Sequence, residues 1–188
     1  MATNGQLTLS LDVIARTRPP YDGSVVTIIR ENDNSWDRYS FSNSDVDMHR
    51  VQWIGNGWIG MGNRGTVYTS ANGYGFSYAS RSQPEQPLHA AAYSDHVKVI
   101  VGAAGTVLTS RDGYSWVQVN THVSEDLYEI LWTGTSFIAL GDGVVALSDD
   151  ASNWRKVTLN TNAKIRHAVV SDERVVAFGD KHEIYVSH

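Results

Sequence analysis

The chain has 188 residues, the size of one ordinary domain, and folding at that length buries about 70% of the surface of the unfolded chain. It contains no cysteine, which excludes a disulfide scaffold, thiolate catalysis and cysteine-ligated zinc. Its net charge of −5 gives no basic footprint of the kind that nucleic acids and anionic membranes require. We expect no signal peptide, no bound nucleic acid and no membrane insertion.

The first predicted elements are strands. Residues 7–15 alternate apolar and polar side chains and are followed by a Thr-Arg-Pro-Pro break, which ends a strand. Residues 25–30 and 37–41 then have the composition of a third and a fourth strand of a sheet. The strand before the break either completes a fold within the chain or docks on a neighbouring subunit, and we expect the first.

The rest of the chain is a repeat. Residues 49–76, 89–116 and 128–154 align almost residue for residue. An aromatic residue closes each unit, at steps of 40, 40 and 38 residues, namely Trp36, Phe76, Trp116 and Trp154. Each unit has three apolar runs of four to six residues, then a shorter fourth run, joined by glycine-rich turns. This pattern predicts one four-stranded antiparallel blade of a β-propeller per unit.

The two ends of the chain determine the predicted blade count. Residues 166–187 repeat the first three strands of a unit, and the N-terminal strands supply what remains. We predict an all-β fold, a small β-propeller of about five four-stranded blades, closed by mixing N- and C-terminal strands. Four blades is the alternative, with residues 7–15 as a free arm. Residues 1–23 are assigned to an N-terminal strand or arm and residues 24–188 to the propeller domain.

The turn that closes the second full unit has a recognisable composition, with Ser110, Asp112, Gly113 and Trp116. It resembles the Asp-box of sialidase-type (BNR) propellers. The counterparts in the other units are partial, namely Ser70, Asn72 and Gly73 in one and Ser148, Asp150 and Trp154 in the other. The resemblance implies a structural turn on the face opposite the usual binding face. Locally, a short polar side chain accepts hydrogen bonds from backbone N–H groups of its own turn.

Catalytic and metal-binding residues are harder to assign. The sialidase resemblance implies three convergent arginines, a Tyr–Glu nucleophile pair and an acidic Asp, and no such set is assignable. Glycoside hydrolysis needs two facing carboxylates, and the candidates Asp142 and Asp180 follow the second strand of consecutive units. Their counterparts are Asn63 and Ala103, so we interpret the pair as solvated turn residues. No histidine pair has metal-ligand spacing, and we predict no metal, no cofactor and no enzymatic activity.

A second set of polar residues is placed by the repeat itself. The residue that opens the innermost strand of each unit is His49, His89, Tyr128 or Arg166. In a propeller these positions meet at the mouth of the central channel, near the turns that hold Asn63, Arg64, Asp142 and Asp180. Such a rim can bind a sugar or a partner loop. The alternative is that these side chains only satisfy backbone groups at the rim.

Residues 6–17 resemble the opening of some bacteriophage tail proteins, and the repeated turns are similar to those of phage tail and bacterial surface proteins. The resemblance implies a non-enzymatic structural or adhesion module in a virion. Its partners would be other virion proteins or a host-surface glycan, with a homo-oligomer in the particle as a further possibility. The alternative is a carbohydrate-binding lectin with sites repeated between blades, and a glycoside hydrolase is a distant third.

Overall fold

The fold is taken from a computed structural model. It describes residues 2–3, 7–14, 23–30, 36–40, 48–161, 163–171, 174–180 and 183–187. The turn at residues 31–35 and the predicted strand ends at Ala15 and Phe41 lie outside these ranges. The chain divides into two compact units, Met1–Pro87 with Gly113–Ser115, and Leu88–Asp112 with Trp116–His188.

The first unit contains two four-stranded antiparallel sheets. Sheet 1 is β1 (Ala2–Thr3), β2 (Leu7–Ile14), β3 (Gly23–Arg30) and β4 (Trp36–Ser40), and sheet 2 is β5 (Met48–Trp53), β6 (Trp58–Gly62), β7 (Thr66–Ser70) and β8 (Ser77–Arg81). In both, each strand pairs with the next one along the chain. The β6 strand is buried along its whole length, as the continuous apolar run in its sequence predicts.

The second unit contains three antiparallel sheets. Sheet 3 consists of β9 (Leu88–Tyr93), β10 (Lys98–Gly102), β11 (Val107–Ser110) and β12 (Val117–Val119). Sheet 4 consists of β13 (Leu127–Trp132), β14 (Phe137–Gly141), β15 (Val144–Ser148) and β16 (Arg155–Thr158). Sheet 5 consists of β17 (Ile165–Ser171), β18 (Arg174–Gly179) and β19 (Ile184–Val186). One short 3-10 turn, Ala103–Gly105, joins β10 to β11. The all-β prediction and the strands of the repeat are confirmed.

The described strands do not confirm the predicted mixing of N- and C-terminal strands. Every ladder among the described strands joins neighbours in sequence, and β1 to β4 form a sheet of their own. The strand at residues 7–14 is not a free arm, because it pairs with β3 over eight residues. Short connections explain this pairing, since closing a short loop costs less conformational entropy than joining the two ends of the chain.

The core of the second unit lies between successive sheets. Buried side chains of sheets 3 and 4 form one apolar cluster, which includes Val99, Val101, Leu127, Phe137 and Ala139. Side chains of sheets 4 and 5 form another, which includes Leu140, Ile165, Ala168, Val175 and Ala177. Within this unit, apolar strands of sheets 3 and 4 therefore pack against the sheet that follows them in the chain.

A backbone contact repeats where the second strand of a sheet turns into the third. Gly105 donates its N–H to the carbonyl of Glu125 at 2.8 Å, and Gly143 donates to the carbonyl of Ala163 at 3.2 Å. Gly105 has φ of +66°, and a Cβ there would lie 1.9 Å from the carbonyl oxygen of Val123. Only glycine fits this position, because it accepts positive φ and has no side chain to collide with the neighbouring loop.

The closing turns are held by their own side chains. In the turn after β7, Gly73 donates its N–H to Ser70 Oγ at 2.9 Å, and Tyr74 donates to Asn72 Oδ1 at 3.0 Å. In the turn after β11, Ser110 Oγ donates to Asp112 Oδ1 at 2.9 Å. These contacts are the local side-chain hydrogen bonds that the turn composition predicts.

In the turn after β15, one aspartate accepts several hydrogen bonds. Asp150 Oδ1 accepts the N–H groups of Ser152 at 2.8 Å and Asn153 at 2.7 Å, and Oδ2 accepts from the Asn153 side chain at 2.8 Å. The Asn153 backbone bond is the largest of the effects that lower the pKa of Asp150 to about 2. Ala151 adopts φ of +61° where Gly73 and Gly113 have +82° and +85°. Trp154 Nε1 donates to the Ala151 carbonyl at 3.1 Å, which ties the closing aromatic to the turn.

We expect Asp150→Ala to lower the melting temperature by a few degrees at neutral pH and to have little effect near pH 2. The folded-state pKa of about 2 lies below the ordinary value of 3.8, so the carboxylate stabilises the fold above about pH 4. That stabilisation is lost as the pH falls towards 2. Thermal unfolding of both proteins across this range measures the effect. Asp95→Ala, which changes an exposed aspartate between β9 and β10, is the control, and a pH-independent Asp150→Ala deficit would contradict the assignment.

Candidate functional site

The residue that opens each inner strand lies in a β-bulge. In β5 the ladder pairs Met48 with Gly62 and then Arg50 with Met61, and skips the residue between. The ladders of β9, β13 and β17 have the same irregularity one residue after their start. The skipped residues are His49, His89, Tyr128 and Arg166. A bulge leaves a residue unpaired and redirects its side chain, so the fold places one long polar side chain at this position in four sheets.

Three of these residues meet in the second unit, and we refer to His89, Tyr128 and Arg166 as the bulge cluster. The rings of His89 and Tyr128 lie 5.2 Å apart at an interplanar angle of 30°. The guanidinium carbon of Arg166 lies 4.7 Å from the centre of the Tyr128 ring. Since β13 packs against both β9 and β17, His89 and Arg166 approach the tyrosine from the strands on its two sides. The result is a stack of three planar groups across three sheets.

The histidine is oriented by the backbone of the neighbouring strand. His89 Nδ1 lies 2.9 Å from the carbonyl oxygen of Leu127. Because a carbonyl only accepts, Nδ1 carries the proton, and Nε2 is the acceptor of the neutral ring. This bond satisfies a backbone carbonyl at the rim, which is the role that the alternative interpretation assigns to these residues.

The tyrosine hydroxyl is fixed by two charged neighbours. Tyr128 Oη donates to Asp126 Oδ2 at 3.2 Å and accepts from Lys164 Nζ at 3.4 Å. Asp126 also accepts the N–H of Ala104 at 2.9 Å through its other oxygen. Burial raises the pKa of Tyr128, and the hydrogen bond with this tyrosine raises the pKa of Lys164. The phenol is therefore neutral and the ammonium charged at physiological pH.

Asp142 and Asp180 are brought together by a single lysine. Asp142 Oδ2 lies 3.7 Å from Lys164 Nζ, and Asp180 Oδ1 accepts the backbone N–H of Lys164 at 3.1 Å. Both residues follow the second strand of their sheet, as the sequence predicts, and Asp142 also forms an isolated β-bridge with Lys164. The contacts of Asp142 with Lys164 join the end of β14 in sheet 4 to the start of β17 in sheet 5. Asp180 instead ties the end of β18 to the start of β17 within sheet 5.

The remaining predicted residues belong to the first unit. Asn63 and Arg64 form the exposed turn between β6 and β7. His49 is half-buried at the bulge of β5. The bulge cluster itself consists of residues of the second unit.

Sequence reasoning missed two residues that hold the bulge cluster in place. Lys164 and Asp126 each lie two residues before a cluster residue, at the same position of the repeat. This shared position in the repeat could have identified them, because a charged residue two positions before a cluster residue lies beside the start of the inner strand. Their hydrogen bonds to the Tyr128 hydroxyl could not be predicted, because they depend on side-chain distances that the sequence does not contain.

The described part of the chain contains no group of three His, Asp or Glu side chains placed to hold a metal ion. Among the same residues, no helix is long and apolar enough to cross a membrane.

Comparison with known proteins gives the fold. No protein-family model matches the chain, and no curated protein matches it in sequence. One similar solved structure is YCF48 bound to D1 peptide, with 17% identity and a TM-score of 0.61 over 87% of this chain and 57% of that one. A second is the WD40 repeats of RRP9, with 14% identity and a TM-score of 0.65 over 87% of this chain and 57% of that one. A third is a catalytically inactive virginiamycin B lyase from Staphylococcus aureus with quinupristin, with 7% identity and a TM-score of 0.67 over 97% of this chain and 74% of that one. The chain spans little more than half the length of the first two. At these identities the similarity shows a β-propeller fold.

Proposed function

We propose that the chain is a non-enzymatic structural or adhesion module whose bulge cluster contacts a partner. One observation carries the proposal: repeated bulges place His89, Tyr128 and Arg166 in one stack across three sheets. A rim that only satisfied backbone groups would not need this arrangement. His89 satisfies the backbone carbonyl of Leu127 with one ring nitrogen. Arg166, in contrast, is exposed, and its guanidinium contacts the Tyr128 ring and not a carbonyl.

The contacts of the carboxylates support a non-enzymatic role. A glycosidase needs one carboxylic acid and one carboxylate on either side of a substrate. Asp142 and Asp180 are instead bound to two different groups of Lys164. We therefore place Asp142 among the residues that hold sheets 4 and 5 together, and Asp180 among those that stabilise sheet 5 itself.

The finer features of the fold belong to this proposal. We take each of the five described sheets as one blade, and the turns at Ser70, Ser110 and Ser148 as Asp-box turns. A virion setting is supported by the resemblance of residues 6–17 and of the repeated turns to phage tail proteins. Proteins of the same fold include a peptide complex, which supports a protein neighbour as partner. A host-surface glycan is the second candidate.

Partner class and stoichiometry test this proposal. The purified protein is applied to a glycan array and to phage virion proteins separated on a membrane. We expect one bound protein neighbour per chain, or one glycan type bound at a single site. Several equivalents of sugar per chain would instead show a lectin with sites repeated between blades. Turnover of a glycoside, lost in Asp142→Asn with the fold intact, would contradict the non-enzymatic assignment.

A further inference from the structure

Arg166 differs from the other charged residues around the bulge cluster. Asp142 pairs with Lys164, and Glu129 lies 3.8 Å from the His167 ring. Among the described residues, Arg166 forms no ion pair, and its guanidinium is exposed beside the Tyr128 ring. It is therefore a charged group held beside an aromatic ring, with no counter-ion among the residues that the structure describes.

The stacking contact leaves the hydrogen-bonding edge of the guanidinium for a ligand. The guanidinium carbon lies 4.7 Å from the centre of the Tyr128 ring, and the side chain is exposed, so N–H donors remain open to solvent. Contact with Tyr128 limits the rotamers of the arginine, so less side-chain entropy is lost when a ligand binds. The geometry matches a carboxylate, whose two oxygens accept two parallel N–H bonds.

We propose that Arg166 is the receptor for a carboxylate in an acidic segment of a protein partner. This inference rests on the proposed function, because it assumes that the bulge cluster is the contact surface. The ligand aligns in the guanidinium plane, and the His89 Nε2 on the other side of Tyr128 accepts an N–H from the same segment.

Two observations favour an acidic peptide over an acidic glycan. A sugar ring commonly packs on an open aromatic face, but Tyr128 is only 9% exposed and is flanked by His89 and Arg166. The chain also carries a net charge of −5, which repels a long polyanion at a distance. One or two carboxylates on a peptide experience less of this repulsion and gain the same local contact.

Peptide titration monitored by NMR tests the inference. The probes are acetyl-Gly-Ser-Glu-Glu-Ser-Gly-amide, its Gln-Gln counterpart and glucuronate, followed through the Arg Nε–H and His ring signals. We expect the Glu peptide to bind about 2- to 5-fold more tightly than the Gln peptide, the difference that one exposed ion pair supplies. Arg166→Gln abolishes this preference, and added salt weakens it. Arg174→Gln, which changes an exposed arginine on β18 of the same sheet, leaves it unchanged.

Three results would overturn the inference. These are equal binding of the two peptides, glucuronate binding without peptide binding, and no shift of the Arg166 signal at millimolar peptide. Failure of the proposed function is separable from these. If partner binding requires His89 and Tyr128 but is unchanged by Arg166→Gln, the contact surface is supported and the carboxylate assignment is wrong. If Arg166 binds the Glu peptide but substitution of His89 and Tyr128 leaves partner binding unchanged, the proposed function is wrong.

Discussion

Gly105→Ala is expected to destabilise the protein by about 2–5 kcal/mol, one of the two largest effects of a single substitution in this chain. The new Cβ would lie 1.9 Å from the carbonyl oxygen of Val123, and the residue has φ of +66°. The colliding atom is backbone, so the loop at Val123 has to move and the Gly105 bond to Glu125 is strained with it. Chemical denaturation measures the loss.

Two other glycines separate the causes of this effect. Gly134 has φ of +97° and no atom within 4 Å of the position that a Cβ would occupy, so Gly134→Ala reports the backbone cost alone, about 1–2 kcal/mol. Gly75 has an equally open position without the positive φ, so Gly75→Ala should be neutral or slightly stabilising. If Gly105→Ala cost no more than Gly134→Ala, the close approach of the Val123 loop would be wrong.

Phe137→Ala is expected to cost about 3–5 kcal/mol, the usual loss for a buried phenylalanine. Phe137 is 1% exposed, belongs to the cluster between sheets 3 and 4, and packs on Trp132 with ring centres 4.5 Å apart. Its removal leaves a cavity at the interface of two repeat units. The free energy of unfolding from urea titration measures the cost.

An exposed residue of the same unit provides the control for Phe137. Val117 on β12 is 66% exposed, and Val117→Ala should change the free energy of unfolding by less than about 0.5 kcal/mol. Comparable losses for the two variants would contradict the packing of sheet 3 against sheet 4.

The strands were predictable because their signal is local and repeated. A period near 40 residues, apolar runs and glycine-rich turns fix where β5 to β18 begin to within a few residues. The pairing of the terminal strands was not predictable, since it depends on which backbone groups bond, and the sequence pattern does not specify that. The short loops of sheet 1 favour the local arrangement.

The bulges were missed for a specific reason. Gly62, Gly102, Gly141 and Gly179 end each second strand and pair with the residue just before each bulge, a pairing that the strand pattern alone does not reveal. At Gly141 a Cβ would lie 2.0 Å from the Asp126 carbonyl oxygen, so the glycine permits the close approach that the bulge requires. The sequence identified the four bulge residues by their position in the repeat, but the stack of His89, Tyr128 and Arg166 depends on this backbone geometry.

The central claim is that the bulge cluster is a contact surface, and binding to host bacterial cells and to virion proteins tests it directly. The measurement compares wild type with His89→Ala/Tyr128→Ala and with His96→Ala/Tyr93→Ala, a matched pair of exposed residues at and beyond the other end of β9. We predict that the cluster variant, with its fold intact by circular dichroism, loses at least about 30-fold in affinity, as expected for residues at the centre of an interface. The control pair should bind like wild type. Equal binding by all three proteins would contradict the account.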